Sequence, residues 1–209
     1  MTEQVHKPQQ QRSREKVARI LEATAALLET TPFGELGTKL IAAEAGVSVG
    51  VLYRYFTDKE AIVASLVRGW LEMDVRITER ITEEPLPARS QELLEKLLAA
   101  FADRFRKEPG YRRVWYYGPR IDALRAYGRQ TDLEIAERVH KALVRGYAMP
   151  DTEQFRRRAR LAVEVGGNLL DLAFRESAEG DPEILADAAL MMDRYLFAPS
   201  TDSGFPGTG

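Results

Sequence analysis

From Val17 to Tyr195 the apolar residues of this chain recur at spacings of three and four, and no segment alternates with period two for long enough to make a strand. That periodicity confines the fold to packed helices, each burying one face. Fifteen Gly and ten Pro are few for 209 residues, so the helices can be long. Hydrophobic residues at 44% and charged ones at 30% supply both a core and a hydrated surface, which excludes a disordered chain. Apolar runs stay well below the ~18 residues of a membrane span, and the first residues lack the apolar centre of a signal peptide. A soluble, cytoplasmic protein with no membrane partner is expected.

Zero Cys and only two His, His6 and His140, weigh against thiolate metal sites, cysteine nucleophiles, histidine-rich metal centres and a Ser/His/Asp triad. The expectation is therefore no metal, no cofactor and no enzymatic activity. The surviving catalytic rival is a helical enzyme using carboxylates such as Asp122, Asp132 or Asp171, with His140 assisting. The net charge of −2 argues against a histone-like polycation. It leaves room for a local phosphate-binding patch, because distribution matters more than the sum.

Caps and breakers divide the chain. Residues 1–12 are polar, with a Gln9-Gln10-Gln11 run, and are expected to form a flexible arm. A helix from Ser13 buries Val17, Ile20, Leu21, Thr24, Leu27 and Leu28, and Pro32-Phe33-Gly34 ends it. Thr38 to Ala45 is a short helix closed by Gly46 in the left-handed conformation, and Ser48 caps the next. Thr57-Asp58-Lys59-Glu60 reads as a capping box opening a long helix over 57–84, with Ile62, Leu66, Trp70, Met73, Ile77 and Ile81 as its apolar stripe. Pro85 and Pro87 break it. Helices follow over 90–107, 111–117, 120–128, then from a second capping box at Thr131 to Tyr147, and over 152–176 and 181–197. Residues 199–209 are expected to be a disordered tail. The fold class is all-α, with about nine helices.

The chemistry concentrates in residues 37–60. Two short helices joined at Gly46 form a helix-turn-helix, with Ala42 and Ala45 allowing close approach and Leu52 and Phe56 anchoring the second helix. Its outer side places small Val49, Gly50 and Val51 first, then Tyr53, Arg54 and Tyr55. A narrow helix tip can enter a DNA major groove about 12 Å wide, while hydroxyls, amides and a Lys hold phosphates on either side. The plain alternative is a structural corner.

These residues carry a resemblance. Ile41-Ala42, Ala45-Gly46-Val47-Ser48, Gly50, Leu52-Tyr53-Arg54-Tyr55-Phe56 and Lys59-Glu60 make residues 13–66 resemble the DNA-binding domain of the TetR family of repressors. The resemblance implies a helix-turn-helix domain over 13–66, joined by the long helix to an effector-binding and dimerisation domain over 67–198. It implies Thr38 and Lys39 at the backbone or groove edge, Val49, Gly50 and Val51 facing bases, and Tyr53, Tyr55 and Lys59 on phosphates. Ser48 and Arg54 complete the candidate DNA-binding set. Two positions depart from the family: Gly37 replaces a usual hydroxyl residue, and Val51 offers methyls in place of a hydroxyl.

The implied function is a ligand-responsive transcriptional regulator, a repressor, that binds a palindromic operator of double-stranded DNA as a homodimer. Residues 1–60 hold eight basic and eight acidic side chains, so affinity must come from placement and from two copies acting together. Lys7, Arg12 and Arg14 of the arm either add DNA contacts or belong to a solvated tail. Phe101, Phe105, Trp115, Tyr116, Tyr117, Tyr127, Asn168, Asp171 and Phe174 are candidates for a small, largely apolar or aromatic effector, with core packing as the alternative for each. Ala159, Ala162, Val163, Gly166, Gly167, Ile184, Ala188, Met191, Met192 and Tyr195 are candidates for the dimer interface. A small-molecule-binding protein with a vestigial DNA-binding unit is the other reading.

Overall fold

A computed structural model of the protein describes residues 6–117 and 122–198, with side chains over 10–114 and 126–198. Among the described residues the regular structure is helical: α1 (His6–Thr30), α2 (Thr38–Glu44), α3 (Val49–Tyr53), α4 (Lys59–Glu83), α5 (Ser90–Lys107), α6 (Tyr111–Tyr117), α7 (Asp122–Tyr147), α8 (Glu153–Ala173) and α9 (Pro182–Phe197). Packing forms two compact units, Met1–Ile77 with Phe101–Thr131, and Thr78–Ala100 with Asp132–Gly209.

In the first unit α1 starts at His6, so the expected arm is helical from there on. Gln9, Gln10, Gln11 and Arg12 are good helix formers, and Pro8 lies in the first turn, where a missing N–H removes no helical bond. Ile20, Leu28, Leu36, Ile41, Leu52, Ile62 and Val63 are buried and form the core that orients α2 and α3. Gly46 takes the expected left-handed conformation (φ 62°), and the Val47 amide donates to the Ala42 carbonyl at 2.9 Å. Gly37 caps α2 without any side-chain bond. At α4 the cap is Asp58 rather than Thr57: the Ala61 amide donates to Asp58 Oδ1 at 2.7 Å, and the Thr57 hydroxyl turns to Asp58 Oδ2.

The apolar stripe read for α4 needs correction below Trp70. Met73 is exposed, and Asp74, Thr78 and Thr82 occupy the buried positions. Asp74 survives burial by pairing: Arg104 Nε lies 2.7 Å from Oδ1, and the Tyr111 hydroxyl donates to Oδ2 at 2.7 Å. Trp70 packs edge-on against Tyr111, and its indole N–H donates to Glu108 at 3.0 Å. Gly110, between α5 and α6, presses on α1. A Cβ there would stand 2.7 Å from the Ala25 carbonyl oxygen, and its amide donates to Glu29.

In the second unit, Tyr147 donates to the Pro87 carbonyl at 2.9 Å and Ser90 donates to Asp193 at 2.6 Å. α7 is one helix where the sequence suggested two. Thr131 is buried in its interior and caps nothing, because Arg129, Gln130, Leu133 and Glu134 continue the helix and one Gly128 costs too little to break it. Thr152 caps α8, Asp181 caps α9, and Pro182 takes the first position of α9. Gly166 lets α8 meet α9, since a Cβ would come 2.8 Å from Met192 Sδ.

Candidate nucleic-acid interface

The recognition surface is built around α3. Ser48 Oγ accepts the Val51 amide at 3.2 Å, so its hydroxyl starts the helix. Fully buried Leu52 fixes the rotation of α3 on the core, which leaves Val49 and Val51 half-buried and Gly50 exposed. No other atom lies within 4 Å of where a Gly50 Cβ would be, so the tip of α3 is open as well as narrow.

Two hydroxyl contacts then position the tyrosines. A 3.1 Å hydrogen bond joins the Thr38 and Tyr53 hydroxyls, and Ser13 donates to the Tyr55 hydroxyl at 3.1 Å. Thus α2 holds one tyrosine and α1 the other. Tyr53 remains 53% exposed, and Arg54 beside it is exposed. Lys59 behaves differently. Its ammonium donates to the Phe33 carbonyl at 3.0 Å and the Gly34 carbonyl at 3.4 Å, and lies over the Phe33 ring. It ties the α1–α2 loop to α4 and keeps one N–H for another acceptor.

Several cations of α1, α2 and the end of α3 stand without a carboxylate partner. Among the described residues, Arg12, Arg14, Lys16, Arg19, Lys39 and Arg54 form no ion pair; the same holds for Arg80, Lys96, Arg157, Arg160 and Arg194 elsewhere, while Arg76, Arg104, Arg138, Arg156 and Arg175 are paired. Glu15, Glu22 and Glu44 share the surface of α1 and α2. The result is an open tip flanked by fixed hydroxyls and cations that lack a protein partner, suited to a polyanion that admits a narrow helix.

Residues 20–66 match the bacterial regulatory proteins, tetR family, and residues 88–200 match the Tetracyclin repressor-like, C-terminal domain. The chain belongs to the TetR family. A TetR-family transcriptional regulator from Streptomyces coelicolor is 30% identical with a TM-score of 0.67, over 88% of this chain and 97% of that one. FadR from Bacillus subtilis, solved in complex with stearoyl-CoA, shares the fold at 14% identity, with a TM-score of 0.67 over 88% and 99% of the two chains. The nucleoid occlusion factor SlmA of Shewanella loihica is 38% identical over 97 residues, 46% of this chain and 47% of its own length. The chain thus spans about half the length of the first curated relatives it matches.

The effector candidates are divided between the two compact units, with Phe101, Phe105 and Tyr127 in the first and Asn168, Asp171 and Phe174 in the second. Phe105 is buried edge-on against Tyr111, and Phe174 is buried against Gly180. Phe101 is half-buried, and exposed Tyr127 accepts from Arg68 at 2.9 Å. Asn168 is exposed, its amide spent on the Glu164 carbonyl of its own helix, and Asp171 pairs with Arg175 at 3.1 Å. The side chains of Trp115, Tyr116 and Tyr117 lie outside the described residues.

The dimer candidates divide by burial. Ala159, Ala162, Gly166, Ala188 and Met192 are buried within the single chain, as the Gly166–Met192 approach explains. Val163, Gly167 and Ile184 are half-buried, and Met191 and Tyr195 are exposed. Leu161, Val165 and Leu172 of α8 are also exposed, which the sequence does not signal because an exposed apolar residue carries the same periodicity as a buried one.

Of the catalytic rivals, Asp132 has its pKa raised to about 6 by burial, with the charge of Glu164 adding to it. His140 is buried beside Phe155, with Nε2 3.6 Å from Asp151. The side chain of Asp122 lies outside the described residues. Among the described residues no hydrogen bond or ion pair joins Asp132, His140 and Asp171 to one another.

Proposed function

We propose that this TetR-family regulator is a cytoplasmic repressor, without catalytic activity, that binds a palindromic operator as a homodimer and responds to a small, largely apolar or aromatic effector. The observation that carries the reading is the open α3 tip between two hydroxyl-anchored tyrosines. Val49, Gly50 and Val51 face bases in the major groove, and Thr38 lies at its edge. Lys39, Tyr53, Arg54 and Tyr55 hold phosphates. Lys59 contributes its remaining N–H and keeps the loop in place.

Leu161, Val165 and Leu172 on α8, with Met191 and Tyr195 on α9, support the homodimer: they leave an apolar face that one chain does not cover. Two recognition helices then meet successive major grooves about 34–36 Å apart. α4 belongs to both compact units, so an effector that displaces it alters that spacing. The aromatic run of α6 supports the effector class, and native mass spectrometry of the purified protein checks for a retained small molecule.

The direct test enriches duplexes from a random-sequence pool with the full chain and measures binding by fluorescence anisotropy. Tyr53→Ala and Lys39→Ala should each weaken the enriched duplex by about tenfold, in line with 1–3 kcal/mol for a charge-assisted contact. A wild-type protein that enriches no sequence overturns the reading.

A further inference from the structure

We propose that His140 is a proton-operated latch between α7 and α8: on protonation its ring draws Asp151 away from Arg156 and fastens the turn that leads into α8. The latch lies wholly within the second compact unit and works whether or not the chain binds DNA.

The imidazole is buried without a partner. His140 is 1% exposed and packs on Phe155 of α8 with 5.5 Å between ring centroids. Neither ring nitrogen has a hydrogen-bond partner among the described residues. A neutral imidazole carries one N–H donor in either tautomer, so one buried donor goes unmet. An acceptor stands just out of reach: Asp151 Oδ1 lies 3.6 Å from Nε2. Arg156 competes for it, its Nη2 donating to the same oxygen at 3.1 Å.

The surrounding charges permit the exchange. Asp151 faces the ring from the turn and Arg156 from α8, while Glu137 and Lys141 are its charged neighbours on α7. Arg156 also pairs with Glu137 at 3.2 Å and with Glu153 at 3.3 Å, so it keeps two carboxylates when Asp151 leaves. Lys141 is held by Glu137 at 3.4 Å. An imidazolium donates from both nitrogens, and a charge-assisted bond of about 2.8 Å asks Asp151 to move by only about 0.8 Å. That carboxylate is 65% exposed, so nothing walls it in. The turn itself is under strain, since Ala148 holds φ 53°, a conformation uncommon for a residue with a Cβ and concentrated at switch regions. Histidine is the side chain whose charge ordinarily changes between about pH 5 and pH 8.

The chain has two histidines, His6 and His140, so proton NMR of the ring C2–H resonances follows His140 directly, with His6→Gln assigning the pair. Asp132, about two turns earlier on α7, also takes up a proton in this range, because burial and the charge of Glu164 raise its pKa to about 6. The full chain is therefore titrated from about pH 5 to about pH 8 with Asp132→Asn in place. The His140 resonance should shift across that range, and the backbone amide resonances of Asp151 and Thr152 should follow with the same midpoint. Asp151→Asn should lower the midpoint by about one pH unit, because the carboxylate that favours the imidazolium is gone. Arg156→Gln should raise it, because the competing cation is gone. A histidine that only fills space would give no such opposed shifts. Both variants lie on exposed side chains, and circular dichroism confirms unchanged helicity. A His140 resonance that does not titrate overturns the inference, as does a midpoint that stays in place, or moves the same way, in the two variants.

Discussion

Asp74 shows what a single buried charge requires. Its carboxylate is almost fully buried, and Arg104 at 2.7 Å together with the Tyr111 hydroxyl replaces the water it has lost. Burial and the neighbouring negative charge push the Tyr111 hydroxyl well above the usual tyrosine range, so it stays a donor. Asp74→Ala leaves the buried Arg104 guanidinium with only the Glu108 carboxylate, 3.6 Å away, and should cost about 3 kcal/mol, measured by urea denaturation. Asp132 gives the opposite case. Its pKa is raised to about 6 from 3.8, so the folded chain holds the proton more tightly than the unfolded chain. Stability is therefore lost as pH climbs from about 4 to about 6, and the full penalty applies above that. Asp132→Asn should stabilise the protein at pH 7.5 by about 1–2 kcal/mol, after discounting for partial exposure, with the gain gone below pH 4 in thermal melts. Ser48 and Gly46 were legible in the sequence because a cap and a left-handed turn act within a few residues. Asp74, Arg104 and Tyr111 lie 30 and 37 positions apart, beyond any local pattern, and the only hint was a polar Asp-Thr-Thr series at four-residue spacing where apolar residues were expected.

Among whole elements, helix existence was legible and continuity less so. α1 runs seven residues further than expected, and α7 crosses a glycine and a plausible cap without a break. In both places the strong helix formers on either side outweigh a signal worth about 1 kcal/mol. Two alanine substitutions separate tolerated glycines from required ones. Gly128, inside α7 with open space around it, should gain about 0.5–1 kcal/mol on Gly128→Ala. Gly110 holds φ 73° against the α1 backbone, and Gly110→Ala should cost about 2–4 kcal/mol through backbone strain and the clash with Ala25. Differential scanning calorimetry should find the two Tm shifts opposite in sign. Some of the small residues of α8 and α9 read as dimer candidates pack within the chain, as Gly166 does on Met192, and residue spacing does not tell a contact within the chain from one between chains.

For the molecule as a whole, near-neutrality is the reason the proposed operator binding calls for two copies acting together. Val165→Glu or Met191→Glu places a carboxylate on the exposed apolar face of α8 and α9. Each should raise the dimer dissociation constant about a hundredfold in sedimentation experiments, and operator affinity should fall with it. Val49 and Val51 offer no side-chain hydrogen bonds, so in the proposed complex the group on a base that suits them is its C5 methyl. Replacing thymidine by deoxyuridine at a contacted step should cost about 0.8 kcal/mol per methyl lost, measured by anisotropy. The same group is present on 5-methylcytosine and absent from cytosine. In the proposed complex an enzymatic methyl mark on the duplex therefore counts as a change of sequence, with no base pair altered.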